Sequence, residues 1–165
     1  MKIWHFSISL VAAVGIAGCA SSYVPPASGP VAQLTFKKYK DSTTGIQTYE
    51  QAETCSLRHK IALLRSDTEK SVTVKADAPL SITMGVDKAV IPVPIGFIAL
   101  GCNPTVTFVP KSGTSYTAEL VSEHGMCSIK VMQINSDRTA SDVPADSVRI
   151  RKWKRGFDEG SSFCD

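Results

Sequence analysis

Chemistry in this chain has to come from a short inventory of five cysteines, three histidines, a dense run of cations and scattered serines and carboxylates. Cys55-x3-His59 and His124-x2-Cys127 carry the ligand types and spacing of a zinc site. In an oxidising compartment, however, the same cysteines pair with sulfur, and the two clusters lie far apart in sequence. His59 and His124 are therefore expected at the surface, with no metal and no cofactor. A serine nucleophile needs a base oriented by a third group, commonly advertised by a strained G-x-S-x-G turn, which the sequence lacks. Asp158-Glu159 is a carboxylate pair in a glycine-flanked segment, where solvation rather than acid–base work is expected. No phosphate-cradling glycine loop is present. These residue types read as a non-enzyme with no catalytic residue.

Two stretches could instead make contacts. Between Val148 and Arg155, the cations Arg149, Arg151, Lys152, Lys154 and Arg155 surround Trp153. As a strand this stretch puts Arg149, Arg151, Trp153 and Arg155 on one face and Val148 and Ile150 on the other. Guanidinium groups beside an indole could grip lipid A phosphates, anionic headgroups or an acidic partner protein. The same charges could simply guard an edge strand against sheet-to-sheet aggregation. If they hold a partner, Arg151→Glu with Lys154→Glu should abolish capture without unfolding the domain. Nucleic acid is not expected, because the net charge is only +3. The second stretch, Ala89 to Leu100, is wholly apolar and broken by Pro92, Pro94 and Gly96. Proline does not sit in a central strand, so an edge strand or a covered loop is expected. Exposed, it would mark a contact; buried, it would fill the core.

The elements that position these residues begin after a separate leader. Lys2 and His5 give a basic start, Phe6 to Ile16 is an apolar run, and Ile16-Ala17-Gly18-Cys19 supplies small residues before a cysteine. This combination resembles a bacterial lipoprotein signal. The resemblance implies removal of residues 1–18, acylation of Cys19 and, because Ala20 rather than Asp follows, delivery to the outer membrane facing the periplasm. Several acyl chains at about 0.8 kcal/mol per buried methylene would anchor the protein without a spanning segment. Residues 20–32, with Pro25, Pro26 and Pro30 among small residues, read as a tether reaching roughly 40 Å if extended.

Cys55, Cys102, Cys127 and Cys164 remain, an even number that predicts two disulfides. Spacing leaves all three connectivities open; Cys55 with Cys102 and Cys127 with Cys164 is the preferred pairing, because the second bridge would staple the end of the chain to the body.

From Gln33 to Asp165 the sequence reads as one all-β domain, with short apolar or alternating runs separated by turn residues. The strand candidates are Gln33–Tyr39, Ser56–Arg65, Ser71–Lys75, Leu80–Met84, Thr105–Val109, Ser115–Val121, Cys127–Ile134 and Ser147–Trp153. About eight short strands imply a single antiparallel β-sandwich, Ig-like or transthyretin-like, stapled by disulfides. In the clearest hairpin Tyr116, Ala118 and Leu120 share one face and, after Glu123-His124-Gly125, Cys127, Ile129 and Val131 share another, with Cys127 pointing inward. Residues 45–54 read as a loop or short helix. Around Phe108-x-Pro110-x-x-Gly113-x-x-Tyr116 the chain resembles small β-sandwich lipoproteins of the bacterial envelope. That resemblance implies a fold and no reaction. The expected role is a binding or adaptor module of an envelope assembly. The alternatives are a glycan- or ligand-binding domain with a histidine near a pocket, and a purely structural lipoprotein.

Overall fold

A computed structural model of the chain describes residues 21–124, 126–158 and 160–165; the leader, Cys19 and Glu159 lie outside them. The strands are β1 Ser21–Ser22, β2 Val31–Lys37, β3 Thr44–Gln51, β4 Ser56–Leu64, β5 Glu69–Lys75, β6 Leu80–Val93, β7 Gly96–Cys102, β8 Thr105–Phe108, β9 Ser115–Glu123, β10 Met126–Ile134, β11 Ala140–Asp142 and β12 Val148–Arg151. One 3-10 turn, Ala145–Ser147, leads into β12. Seven strands form one sheet, ordered β1-β4-β3-β6-β8-β12 with β7 added to β6, and five form the other, ordered β11-β10-β9-β2-β5. The chain is an all-β sandwich, as expected. Two of its pairings, β1 with β4 and β2 with β9, are parallel in an otherwise antiparallel fold.

Period-two alternation selects what faces inward. Leu34 and Phe36 of β2, Val74 of β5, Tyr116, Ala118 and Leu120 of β9, and Ile129 and Val131 of β10 come from the five-stranded sheet. They meet Ile46 of β3, Ile82, Met84 and Val86 of β6, and Val106 and Phe108 of β8. Phe108 and Tyr116 close this core across the two sheets, their rings edge-on at 5.5 Å. Gly113 sits at φ +71° in the turn between them, a conformation in which a side chain would be strained. Tyr116 Oη there accepts the Lys111 N–H at 3.0 Å.

Three expectations need correction. Residues 44–51 are neither loop nor helix but a strand inside the seven-stranded sheet, between β4 and β6. Its inward side chains Thr44, Ile46 and Thr48 alternate, but two are hydroxyls, which hid the pattern. Both hydroxyls are satisfied, Thr44 Oγ1 accepting from Tyr39 N at 2.9 Å and Thr48 Oγ1 donating to Ser81 O at 3.0 Å. The expected tether, residues 20–32, is tied to the domain at both of its described ends, 21–23 and 31–32. From Ser21 the chain runs along β4, Tyr23 N–H donates to Lys60 O, Tyr23 Oη donates to Thr73 O at 2.9 Å, and Val31 and Ala32 already belong to β2. The disulfides join Cys55 to Cys164 and Cys102 to Cys127, with Cα–Cα distances of 5.4 and 6.2 Å. The preferred pairing fails because Cys55 lies in the turn after β3 and Cys102 at the opposite end of the sandwich. Only the folded chain brings the first and last of the four together. Cys164 does staple the end of the chain to the body, as expected, but through Cys55.

Candidate functional site

The basic stretch is mostly spent inside the fold. β12 is the edge of the seven-stranded sheet, in register with β8 so that Arg149 opposes Thr107 and Arg151 opposes Thr105. Both arginines therefore lie on the outer face, as the alternation predicted. That face is covered: residues 152–165 fold back across it, with Trp153 bridged to Cys164, Phe163 N–H donating to Cys55 O at 3.0 Å and Lys154 N–H to Phe163 O at 2.9 Å. Beneath this clasp Tyr49, Cys55, Phe163 and Cys164 form a second small core against Trp153. The outer face under it carries a row of buried hydroxyls, Ser81–Thr107 and Thr83–Thr105 at 2.6 Å each and Tyr49–Thr83 at 2.7 Å.

Arg151 is 8% exposed. Its guanidinium donates to Asp165 O at 2.5 Å, Glu53 O at 2.6 Å and Thr107 Oγ1 at 3.2 Å. Burial first, then the neighbouring Arg149 charge, lowers its pKa from the ordinary arginine value. Arg151 is thus a clamp for the clasp segment and offers nothing to an external anion, a correction to the face read from the sequence. Arg149 pairs with Glu53, and Lys154 with Asp165 at 2.7 Å. Lys152 and Arg155 remain exposed beyond the strand.

These ion pairs make the clasp acid-sensitive. The Glu53 carboxyl is held below its ordinary 4.5, first by the hydrogen bond from Arg149, and Asp165 below 3.8, first by that from Lys154. A carboxyl with a lower pKa folded than unfolded stabilises the fold above its unfolded pKa and loses that contribution as pH falls through the folded value. The clasp is therefore expected to hold above about pH 5 and to loosen as the pH drops below about 4. Trp153 emission should shift across that window while the far-ultraviolet sheet signal persists. A constant Trp153 signal down to about pH 2 would show that the ion pairs do not matter.

The apolar stretch has the opposite fate. β6 continues beyond Val86, where its pairing with β3 ends at Thr44, and folds back as β7 through Val93 opposite Gly96. Among the described strands β7 pairs with β6 alone, so residues 87–101 form a two-stranded arm leaving the far end of the sandwich. Pro92 stands in this arm opposite Phe97, consistent with an edge rather than a central position. Pro92, Pro94 and Ile95 are exposed, Ile95 fully at 99%, so at these positions the stretch does not fill the core. The Cys102–Cys127 bridge ties the base of the arm to β10.

His59 and His124 are far apart. His124, at φ +49°, makes the β9–β10 turn, and Cys127 beyond it is oxidised. His59 faces a cleft of about 360 Å³ at the near end of the sandwich, under residues 22–26, with Tyr23, Glu50, Lys75 and Leu80 also in its wall. Ser21 Oγ lies 2.6 Å from His59 Nδ1, and Glu50 Oε2 lies 3.8 Å from Nε2. A serine, an imidazole and a carboxylate thus stand in a row, but the carboxylate is too distant for a hydrogen bond that would orient the ring. No spacing motif marks this row, because Ser21 sits among the small residues and prolines of residues 20–32, far from His59 and Glu50 in the chain. No cluster of three or more metal-ligating side chains occurs among the described residues, and both sulfurs of the zinc-like spacings are in disulfides. The chain matches no known protein family, no curated protein and no solved structure.

Proposed function

We propose that the chain is an outer-membrane lipoprotein acylated at Cys19, and that its sandwich serves in the periplasm as a non-catalytic binding module whose contact surface is the β6–β7 arm. The observation that carries this reading is the arm itself. Among the described strands residues 89–93 and 96–100 pair only with one another, and Pro92, Pro94 and Ile95 at the tip are exposed. An exposed tip of proline and isoleucine supports a protein contact there. Among the described strands the outer edge of β7 has no neighbour, which leaves it open to a strand of a partner. The basic stretch is the weaker surface, since its central guanidinium is buried and two of its cations are paired.

The polarity of the molecule fits the role. Ser21 lies level with Ile82 across β4, β3 and β6, and the arm tip follows β6 up to about 40 Å further along. An acyl anchor at one end and a contact arm at the other would present the arm away from the membrane. Photo-crosslinkers placed in cells at Ile95 and at Lys152 test this: one recurrent envelope protein is expected at Ile95. Ile95→Asp should abolish that capture and shift Tm by less than about 2 °C, because the side chain touches solvent. Only lipid, glycan or nothing at Ile95 would refute the arm.

The cleft beside His59 favours a second reading, a small-ligand or glycan site. A glycan fragment that perturbs the His59 ring resonances in the intact protein, with no capture at Ile95, would select it.

A further inference from the structure

We infer that the corner where the clasp segment meets β4 is a lipid-contacting surface that seats the acylated domain directly on the headgroups. The inference rests on acylation of Cys19 and adds where the domain then sits. Ser21 opposes His59, one residue from Arg58. Two residues of chain span at most about 7 Å, so acyl chains on Cys19 would hold Ser21 close to the headgroups. Ser21 and Ser22 pair with β4 and Tyr23 hydrogen-bonds to Lys60 and Thr73, so an anchor at Cys19 would bring the surface around Ser21 against the bilayer.

That corner has the composition of a bilayer interface. The Arg58 guanidinium stacks over the Phe163 ring at 4.4 Å, and Arg58, Trp153, Arg155 and Phe157 line one shallow cleft there. Among the described residues Phe157 is the most exposed large apolar side chain, at 101%. Lys60, beside Ser22, is exposed as well. Gly156 leaves no room for repacking, since a Cβ there would stand 2.7 Å from the Phe163 ring. An exposed aromatic tip flanked by cations suits the boundary between acyl chains and anionic headgroups. Asp158 is the acidic side chain of the cleft and is exposed at its rim.

The test places one added tryptophan at the corner, Phe157→Trp, or at the opposite end in the β4–β5 turn, Asp67→Trp. Each full-length protein is processed in cells, its amino-terminal peptide is weighed, and it is reconstituted into phosphatidylglycerol-containing vesicles whose acyl chains are brominated near the ester. After subtraction of the Trp153 signal, the indole at 157 should lose at least about half of its emission and that at 67 less than about a tenth. An acylated protein with equal quenching at both sites overturns the proposed seat alone. So does an unquenched 157 site buried in a dimer of acylated protein. An unacylated amino terminus overturns the seat and the anchor together.

Discussion

Replacing Cys55 and Cys164 by alanine is expected to lower the unfolding free energy by about 4.8 kcal/mol, the chain-entropy value for a bridge across 109 residues. The equivalent change at Cys102 and Cys127, across 25 residues, should cost about 3.5 kcal/mol. The larger loss has a local companion. Cys55 and Cys164 are buried with Tyr49 and Phe163, so without the bridge the clasp depends on Arg151 and a few main-chain bonds. Urea denaturation should rank the two variants in this order, and hydrogen exchange at Phe163 and Lys154 should accelerate in the first variant alone. A loss below about 2 kcal/mol for Cys55 and Cys164 would mean that polar pinning holds the clasp without sulfur.

Arg151→Leu is expected to cost about 3–5 kcal/mol, although the residue sits in the stretch that looks most like a surface for partners. Three acceptors, Asp165 O, Glu53 O and Thr107 Oγ1, lose their donor at once, and the two carbonyls belong to the segments that the arginine joins. Arg151→Lys should recover little, because one ammonium does not reproduce a planar fork. Arg151→Glu should be worse than leucine, setting a carboxylate among carbonyl oxygens. The charge-reversal pair Arg151→Glu and Lys154→Glu would thus unfold the clasp instead of reporting on a partner. Lys154→Leu, whose ion pair with Asp165 is solvent-exposed, should cost less than about 1 kcal/mol. Thermal melts of the three single variants and the lysine control decide the matter: an Arg151→Leu loss similar to that of Lys154→Leu would place Arg151 back on the surface.

The parts of the fold that were legible share a local cause. In β9 and β10 the residues at 116, 118 and 120 and at 127, 129 and 131 keep a period of two, so the inward turn of Cys127 and the core positions of Phe108 and Tyr116 are legible in the sequence. β12 was legible as a charged edge strand for the same reason. β3 was not, since threonine hydroxyls occupy inward positions, satisfied by the main chain of Tyr39 and, for Thr48, of the distant Ser81. Ser21 and Ser22 were not, because a two-residue strand among prolines has no periodicity to detect; its pairing with β4 exists only because the edge of β4 is open.

Sequence by itself determined the all-β class, the turn at Gly113 and the oxidised state of the four described cysteines, and it narrowed Pro92 to an edge strand or a covered loop. Each follows from dihedral limits, side-chain alternation or redox chemistry acting within a few residues. Tertiary structure decided which cysteines pair, that Arg151 is buried while Ile95 is not, and that the segment after Ser21 lies on the domain. Those outcomes depend on contacts between residues 14 to 109 positions apart, and no local preference encodes which distant groups will cover a given face.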